Sequence, residues 1–488
     1  MKEIVIDPIT RLEGHGNISL FLNDAGEVEN AYLKIPELRG FEQFCIGRRA
    51  ELMPILTTRI CGVCPVAHHF AATKALDAAF NVEPPSAAKK LRELMYSAYY
   101  IYDHTLHFYY LGGPDFVVGP DAPPEKRNII GVIEKAGLEV GKEVIKHRAY
   151  GQKMTEIIGG KATHPVCGLP GGVSKPLSEE NRAEIEKMAE SCLKFAQFTL
   201  KLFHDIVLGN SKYVDLIMSQ SYTHKTYYMG LVDEKNRVNF YDGKLRVTSP
   251  SGKEFAKFDA HEYLEHIAEH VEPWTYVKFP FLKKVGWKGF VEGEDSGVMC
   301  VAPLARLNAS DGMATPRAQE AYEEMFKTLG GKPVHYTLAN HWARIVEMIY
   351  AAERLRELAY DPEITDPNIR NLPTATPEVG IGVDEAPRGT LIHHYETDAR
   401  GVVKKANLLV ATQHNSARMA LSVDKAARSL IKGGKVDDGM LNMVEMAFRA
   451  YDPCHACGTH SLPGSMPFMI YLYNEDGALV RTVKRNMP

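Results

Sequence analysis

Two pairs of cysteines, one near each end of the chain, are the residues best suited to chemistry. The first pair is Cys61 and Cys64, in the segment Arg-Ile-Cys-Gly-Val-Cys-Pro-Val-Ala-His. The second pair is Cys454 and Cys457, in Asp-Pro-Cys-His-Ala-Cys-Gly-Thr-His. A Cys-x-x-Cys step directs two sulfurs at one point, which suits a metal better than a strained short disulfide. Four thiolates together would hold a soft or borderline metal.

The spacing of the cysteines leaves two ordinary kinds of metal site open. Structural zinc sites often use paired Cys-x-x-Cys motifs, but they usually occur in small modules where the metal replaces a hydrophobic core. A chain of 488 residues does not need that support. An iron–sulfur cluster is the second alternative, because such clusters are also held by cysteine thiolates.

The residues that flank the cysteines are more specific than the pairs. The patterns R-I-C-G-x-C-x-x-x-H and D-P-C-x-x-C-x-x-H are similar to the two signature motifs of the large subunit of [NiFe]-hydrogenases. The resemblance implies that Cys61 and Cys454 are terminal nickel ligands. Cys64 and Cys457 would bridge nickel to an iron that carries carbon monoxide and cyanide. This Ni-Fe(CO)(CN)2 centre would oxidise H2 reversibly to protons and electrons.

Two further positions match the family near the first cysteine pair. Glu13, in Arg-x-Glu-Gly-His, would pass protons between a nickel-bound cysteine and the exterior. Without the resemblance, Glu13 would be interpreted as half of a surface pair with Arg11, because i and i+2 residues of a strand share a face. His68 would donate an N–H to a bridging sulfur and thereby tune the metal; otherwise it would be a structural histidine.

An arginine and two acids complete the surroundings of the expected centre. Arg388, in Ala-Pro-Arg-Gly, would project its guanidinium over the open metal position. A buried arginine without a partner is very costly, so it should have acidic partners. Asp103, which lies in an otherwise apolar helical stretch, and Asp452, which precedes the second cysteine pair, are the candidates.

The remaining family positions concern a cyanide ligand and a second cation. Thr412 would hydrogen-bond a cyanide, and the neighbouring Ala411 stands where the commonest family form has proline, a variant similar to the cytosolic, multi-subunit branches. Glu42, the backbone carbonyl near Leu408, and His460 match the ligands of a Mg2+ or similar divalent-cation site. Carboxylate, carbonyl and water oxygens suit such a hard cation, whereas imidazole is less typical.

Electrons from H2 need a carrier that this chain lacks, because the sequence has no third cysteine group with iron–sulfur spacing. We therefore expect an iron–sulfur small subunit to dock near the cysteine pairs. Further subunits of the flavin, ferredoxin or heterodisulfide-reductase type would complete a heteromeric complex, and the resemblance favours its viologen-reducing, heterodisulfide-reductase-linked kind. A maturation protease and a nickel chaperone are expected partners. The rival hypothesis is a non-catalytic scaffold subunit of a redox complex, but such subunits have lost the cysteines that this chain retains.

Composition excludes other classes of protein. Lys and Arg number 57 against 61 Asp and Glu, so there is no basic excess for binding nucleic acid. No signal peptide opens the sequence and no apolar run approaches the ~20 residues that span a bilayer. We expect a cytoplasmic protein without a membrane span. The remaining cysteines lack motif spacing and are predicted to be buried, inert thiols: Cys45, Cys167, Cys192 and Cys300.

Hydrophobic periodicity predicts a chain that is mostly helical. Apolar residues at helical spacing occur in 66–80, 88–112, 122–160, 178–208, 316–329, 338–358, 415–432 and 438–450. Strand-like alternation predicts hairpins at 18–33 and 390–410 and a short strand at 238–241. Residues 359–387, rich in proline and aspartate, are predicted to form an irregular loop.

These elements indicate an α+β fold that is predominantly α, a helix-rich unit with peripheral β-hairpins. The resemblance implies the fold of hydrogenase large subunits, with residues 1–460 as a single catalytic domain. Residues 461–488 would be a C-terminal extension that the protease removes after His460 once nickel is inserted. The alternation around Asp476-Gly477 also fits a permanent hairpin.

Overall fold

The computed structural model describes residues 2–460 and 468–485. Helices account for most of the regular structure in these residues, and the sheets are small, with two to four strands each. The predicted fold class, α+β and predominantly α, is confirmed. None of the described helices combines the length and the hydropathy that a bilayer-spanning segment requires.

The helices follow one another along the whole chain. Their bounds are α1 (Phe41–Cys45), α2 (Met53–Leu56), α3 (Pro65–Ala79), α4 (Ser86–Leu106), α5 (Pro114–Val117), α6 (Ile129–Ala136), α7 (Leu138–Gly159), α8 (Glu179–Phe203), α9 (Ser211–Ile217), α10 (Tyr263–His266), α11 (Pro303–Ala309), α12 (Pro316–Thr328), α13 (Asn340–Ala359), α14 (Ala411–Leu430) and α15 (Asp438–Arg449). Helices α4 and α8 continue into π-helical turns at His107–Gly112 and His204–Leu208.

The strands form several separate sheets. Their bounds are β1 (Lys2–Ile6), β2 (Asn17–Leu22), β3 (Val28–Lys34), β4 (Gly168–Leu169), β5 (Gly172–Val173), β6 (Tyr227–Val232), β7 (Lys244–Thr248), β8 (Glu254–Phe258), β9 (Ile267–His270), β10 (Phe279–Leu282), β11 (Met299–Cys300), β12 (Val379–Ala386), β13 (Gly389–Thr397), β14 (Val403–Leu409), β15 (Phe468–Tyr473) and β16 (Leu479–Arg485). The larger sheets have the orders β1-β2-β3, β11-β6-β7-β8 and β12-β13-β14, and neighbouring strands are antiparallel except for β11 and β6.

A group of long helices forms the helical part of the core. Helix α4 packs against α7 and α13, and α13 packs against α8. Helix α8 begins where the sequence predicts, because the side chain of Ser178 accepts a hydrogen bond from the amide of Asn181. Two glutamates in its first turn, Glu179 and Glu180, interact favourably with the positive end of the helix dipole. The result is a rigid support for α4, which carries Asp103.

One of the sheets lies inside the molecule. Helix α3 packs against β12 and β13. Strand β13 is buried from Gly389 to Tyr395, and most of α3 is buried as well. The residues that face this contact are small on both sides: Ala71, Ala75 and Ala79 on the helix, Gly380 and Gly382 on the strand. This close packing fixes the helix that begins after Cys64 against the strand that leads to Arg388.

The structure corrects three sequence-based predictions. Residues 359–387 are not wholly irregular, because 379–386 form β12 and pair along their length with β13. No strand forms at 238–241; the strand in that region is Lys244–Thr248. The predicted helix at 122–160 is divided by Gly137 into α6 and α7, because glycine adopts the positive φ of 96° found there.

The C-terminal residues that the structure describes form a hairpin. Strands β15 and β16 pair antiparallel, and the side chains of 472–481 are exposed. The strand, turn and strand predicted at the end of the sequence therefore agree with the described part, 468–485. Residues 461–467, where the proposed cleavage would occur, lie outside the described residues.

Candidate metal centre

The first cysteine pair is held between a short 3-10 helix and the start of α3. Residues Thr57–Ile60 form the 3-10 helix, Cys61 follows in extended conformation, and Cys64 is the N-cap residue of α3. The amides of Val63 and Cys64 each donate to the Cys61 sulfur at 3.2 Å. Amide donors directed at one sulfur favour its thiolate form.

The second cysteine pair is positioned by the N-terminal segment. Glu13 forms a parallel β-bridge with Cys454, and the amide of His455 donates to the carbonyl of Glu13 at 3.0 Å. Asp452 has a φ of 57°, a left-handed conformation that aspartate tolerates better than most residues. The turn that follows brings Cys454 and Cys457 to one side of the backbone.

The four sulfurs meet in one buried pocket. Cys61 and Cys454 are 3.3 Å apart, Cys64 and Cys457 are 3.2 Å apart, and Cys454 and Cys457 are 2.7 Å apart, measured between Sγ atoms. None of these cysteines forms a disulfide. All four sulfurs lie within 4.8 Å of one another, and among the described residues this is the one such cluster of potential metal ligands.

The chemistry of the sulfurs fits a bound soft or borderline metal. Burial raises the pKa of the Cys454 and Cys457 thiols well above the usual cysteine value. Several thiolates in such a pocket therefore require positive charge between them, which a metal supplies when it displaces the thiol protons. Four cysteine ligands suit nickel, iron and zinc, so the donor set fits the expected metals without choosing among them.

Arg388 lies between the two acids that are expected from the sequence. Its Nη1 atom is 3.2 Å from Oδ2 of Asp103, and its Nη2 atom is 2.9 Å from Oδ2 of Asp452. Burial lowers the pKa of Arg388, but the negative charges of the two aspartates and of Cys454 and Cys64 together outweigh burial and raise that pKa above its usual value. Burial raises the pKa of Asp452 to about 7. Gly389 allows the arginine turn, because a Cβ there would lie 2.3 Å from the Val301 side chain.

Glu13 contacts the second cysteine pair directly, and its side chain does not pair with Arg11. Its Oε2 atom is 2.9 Å from the sulfur of Cys454 and accepts a hydrogen bond from the amide of Ala456 at 3.2 Å. Burial and the negative charge of Cys61 raise the pKa of Glu13. Arg11 instead pairs with buried Asp115 at 2.5 Å. A carboxyl group with a raised pKa next to a sulfur is suited to proton exchange.

His68 is fully buried on α3. Its Nδ1 atom is 3.1 Å from Nε2 of His393, and its Nε2 atom has no hydrogen-bond partner among the described residues. Burial lowers the pKa of His68 to about 4, so the ring is neutral. His393 was not expected from the sequence, although its place on a buried strand two residues before Tyr395 indicates that the two side chains share an inward face.

Thr412 and the residues predicted to bind Mg2+ lie close to the cysteine motifs. The Thr412 hydroxyl accepts a hydrogen bond from the amide of Cys454 at 3.0 Å, and Ala411 begins α14. Glu42 accepts a hydrogen bond from the amide of Leu408 at 2.9 Å, and its own amide donates to the carbonyl of His460 at 3.2 Å. The predicted ligands are therefore brought together, and both ring nitrogens of buried His460 lack a hydrogen-bond partner in the described chain.

A second buried ionic network, which includes the residue that follows Asp103, was not found from the sequence. Arg306 pairs with Glu347 at 2.6 Å and with Glu385 at 3.1 Å. His104, which follows Asp103 on α4, lies 2.9 Å from Glu347. These residues belong to no motif and come from different helices and a strand, so no local signal indicates that they meet.

Comparison with protein families identifies the chain. The family model described as nickel-dependent hydrogenase matches residues 39–122 and 142–460, and a HoxL-like model matches residues 3–38. The chain is 49% identical to the F420-non-reducing hydrogenase iron-sulfur subunit of Archaeoglobus profundus, over 99% of this chain and 100% of that protein. It is 37% identical to the beta subunit of the NAD-reducing hydrogenase HoxS of Cupriavidus necator, over 98% and 99% of the two chains.

Comparison with solved structures gives the same result. The fold is similar to the crystal structure of an NAD+-reducing [NiFe]-hydrogenase in its H2-reduced state, with a TM-score of 0.89 and 36% identity. That similarity covers 94% of this chain and 100% of the other. The predicted family and fold are confirmed, and the chain belongs to the nickel-dependent hydrogenase family as a large subunit.

Proposed function

We propose that this protein is the catalytic subunit of a [NiFe]-hydrogenase, which oxidises H2 reversibly to protons and electrons. The observation that carries the proposal is the convergence of four buried sulfurs beside a buried arginine. A non-catalytic scaffold would have no use for four thiols at this separation, because unbound thiols in a buried pocket gain nothing from crowding together.

The cysteines divide into two roles on this proposal. Cys61 and Cys454 would hold nickel, and Cys64 and Cys457 would hold both the nickel and an iron that carries carbon monoxide and cyanide. When bound, the metal pair supplies the open coordination position at which H2 is polarised and the acceptor for its electrons. The Thr412 hydroxyl, which lies next to the Cys454 amide, is proposed to hydrogen-bond a cyanide.

Side chains of the protein are proposed to transfer the proton that H2 releases and to stabilise negative charge at the sulfurs. Glu13 is proposed to take the proton from the sulfur of Cys454, since its carboxyl oxygen lies 2.9 Å from that sulfur. Arg388 provides a fixed cation beside the thiolates, held in place by Asp103 and Asp452. A cation that is already oriented costs no reorganisation when negative charge develops nearby.

A hard cation is proposed near the end of the second motif. Glu42, the carbonyl of Leu408 and His460 would hold Mg2+ or a similar divalent ion, with waters completing its coordination. The ion would connect the segment that ends at His460 to strand β14 and helix α1. The proximity of these residues and the unpartnered imidazole of His460 in the described chain support this proposal.

Electron transfer requires a partner. We propose an iron–sulfur small subunit that docks near the cysteine pairs, within a heteromeric cytoplasmic complex. Both relatives are named as single subunits of larger hydrogenases, which supports a complex of several subunits. Flavin-, ferredoxin- or heterodisulfide-reductase-type subunits are the proposed further partners. A nickel chaperone and a maturation protease would act before assembly.

The test combines metal analysis with infrared spectroscopy of the purified complex. Carbon monoxide and cyanide bound to a metal absorb where proteins do not, so we expect their bands together with nickel and iron. Zinc without nickel, or the absence of these bands, would contradict the proposal. The variant Cys457→Ser is expected to remove the bands, whereas Cys192→Ser, which changes a buried cysteine outside the cluster, is expected to keep them.

A further inference from the structure

A chain of hydrogen bonds connects three buried side chains from strand β13 to helix α3. The hydroxyl oxygen of Tyr395 lies 2.7 Å from Nδ1 of His393, and Nε2 of His393 lies 3.1 Å from Nδ1 of His68. All three side chains are fully buried. The chain ends at Nε2 of His68, a buried atom without a hydrogen-bond partner among the described residues.

Each member of this chain is uncharged. Burial lowers the pKa of His68 to about 4 and that of His393 well below its usual value. Burial raises the pKa of Tyr395 well above its usual value. A neutral imidazole has one donor and one acceptor nitrogen. The proton position on one ring therefore fixes the proton position on the next.

Two arrangements of the protons are consistent with these contacts. In the first, Tyr395 donates to His393, His393 donates to His68, and His68 carries its N–H at Nε2. In the second, every donor is reversed: the Tyr395 hydroxyl donates to Thr57, and Nε2 of His68 becomes an acceptor. The Thr57 oxygen is free to accept, because its own proton is donated to the carbonyl of Met53 at 2.7 Å.

The surroundings of His68 favour the first arrangement. His68 follows Cys64 by one turn of α3, its amide donating to the Cys64 carbonyl at 3.5 Å, and a metal-bound thiolate accepts hydrogen bonds but donates none. A buried acceptor nitrogen would have no donor here, whereas a buried N–H can be donated to a thiolate or to a ligand of the metals. We propose that Tyr395 and His393 are positioning residues that hold His68 in the tautomer with its N–H at Nε2, directed to the metal centre. This inference rests on the proposed function.

Strand β13 offers a matched control for this proposal. His394 lies on the opposite face of the strand from His393, since side chains alternate along a strand. It has a tyrosine of its own, because the Tyr263 hydroxyl lies 2.9 Å from Nδ1 of His394. The protein thus contains two similar tyrosine–histidine pairs on this strand, and of these two only the pair on the inner face contacts His68.

The experiment compares Tyr395→Phe with Tyr263→Phe in the metal-loaded complex by infrared spectroscopy. Losing the N–H donated by His68 leaves more electron density on the metals, so the carbon monoxide and cyanide bands should move to lower wavenumber in Tyr395→Phe. The reduction potential of the centre should fall as well, because hydrogen bonds to metal-bound sulfur raise it. Tyr263→Phe should leave the bands and the potential unchanged.

Two variants of His393 test the donor directly and guard against misfolding of Tyr395→Phe. Glutamine can donate its amide N–H to Nδ1 of His68, whereas leucine cannot. His393→Gln should therefore keep the wild-type bands, and His393→Leu should shift them as Tyr395→Phe does. Equal spectra for His393→Gln and His393→Leu would overturn the proposal.

Further results distinguish a failure of this inference from a failure of the proposed function. If Thr57→Val shifts the bands as much as Tyr395→Phe does, the hydrogen bonds from Tyr395 to His68 are donated in the reverse direction. That result would overturn the assigned tautomer. Bands that are present in the wild type but unmoved in Tyr395→Phe would also overturn it. A wild-type complex without such bands would contradict the proposed function instead.

Discussion

At the scale of single residues, the interior repeatedly places one arginine between two acids. Arg388 lies between Asp103 and Asp452, and Arg306 lies between Glu347 and Glu385. Removing an ion from water costs several kcal/mol, and such pairs persist when each charge is also hydrogen-bonded. Each set of ion pairs joins the helices to strand β12 or to the turn that follows it. The ion pairs therefore help to fix the elements that surround the four sulfurs.

Glu13 gives the first prediction at this scale. Glu13→Gln keeps the size of the side chain and an oxygen for the Ala456 amide, but it removes the exchangeable carboxyl proton. We expect normal nickel and iron content, and exchange between H2 and solvent protons slower by about 10²–10⁴-fold, the usual effect of general acid–base catalysis. The measurement is isotope exchange with D2O, followed by mass spectrometry of the gas.

Glu445 supplies the control for that experiment. It is a buried glutamate that also contacts the N-terminal segment, through Thr10 at 2.8 Å, without contacting a cysteine. Glu445→Gln should exchange hydrogen at the wild-type rate per bound nickel. Unchanged exchange in Glu13→Gln would show that another group carries the proton.

Glu385 gives a prediction about pH. Burial raises its pKa from an ordinary 4.5 to about 7. The folded state therefore keeps a proton that the unfolded chain loses, and the free energy of unfolding should decrease as pH rises from 4.5 to 7. One pKa unit corresponds to about 1.4 kcal/mol, so the stabilisation lost in this window is about 2–3 kcal/mol.

The variant Glu385→Gln isolates that contribution, because an amide does not titrate. Thermal unfolding of wild type and variant, measured at several values between about pH 5 and 8, should give a difference in stability that depends on pH. The wild type should lose stability relative to the variant as pH rises. A constant difference would mean that Glu385 is already ionised at the acidic end of this range.

At the scale of elements, the contact between α3 and β12 sets the position of the first cysteine pair. Cys64 is the cap of α3, and the strand approaches the helix backbone at two glycines. A Cβ on Gly382 would lie 2.1 Å from the carbonyl oxygen of Ala71, and a Cβ on Gly380 would lie 1.9 Å from that of Ala75. No side chain larger than hydrogen fits without separating the helix from the strand.

Gly382→Ala tests this contact. The added methyl must push α3 from β12, and overpacking of this kind costs about 1–3 kcal/mol. We expect a lower melting temperature and less bound nickel, because the sulfur at the start of α3 moves relative to the second pair. Gly62→Ala is the control, since its added methyl meets open space, and it should not change the melting temperature.

The same contact shows where prediction from sequence fails for elements. Helix α8 is predictable within a few residues, because Ser178 and the acidic first turn are local signals. Strand β12 is not, because the segment 359–387 is rich in proline and aspartate, which predict a loop. Its glycines at 380 and 382 are also depleted in strands. Their presence in a strand is explained by a helix that is far away in the sequence, and no local pattern contains that information.

At the scale of the whole molecule, the N-terminal segment joins the two cysteine pairs. Glu13 pairs with the backbone at Cys454. Arg39 donates from its side chain to the carbonyl of Ile60 at 2.7 Å and from its amide to the carbonyl of Thr459 at 2.9 Å. Residues from three distant parts of the chain thus fix one pocket.

Some residues of the candidate site can be predicted from short sequence motifs, and others cannot. The cysteines, Glu13 and Arg388 can be found because short motifs surround them. The partners of Arg388 can be named because a buried cation requires acids. The roles of His393 and Arg306 cannot be predicted in this way, because their contacts are made with side chains that come together only after folding.

The C-terminal region gives the last prediction, which concerns the finished molecule. His460 is buried and its carbonyl oxygen accepts a hydrogen bond from the amide of Glu42, whereas the described side chains of 472–481 are exposed. His460 is thus part of the buried site, and we expect nickel-loaded protein to lack residues 461–488. Intact-mass measurement of the nickel-loaded chain checks this, with metal-free chain as the control that retains the extension. Full-length mass in nickel-loaded, active protein would mean that the hairpin is permanent.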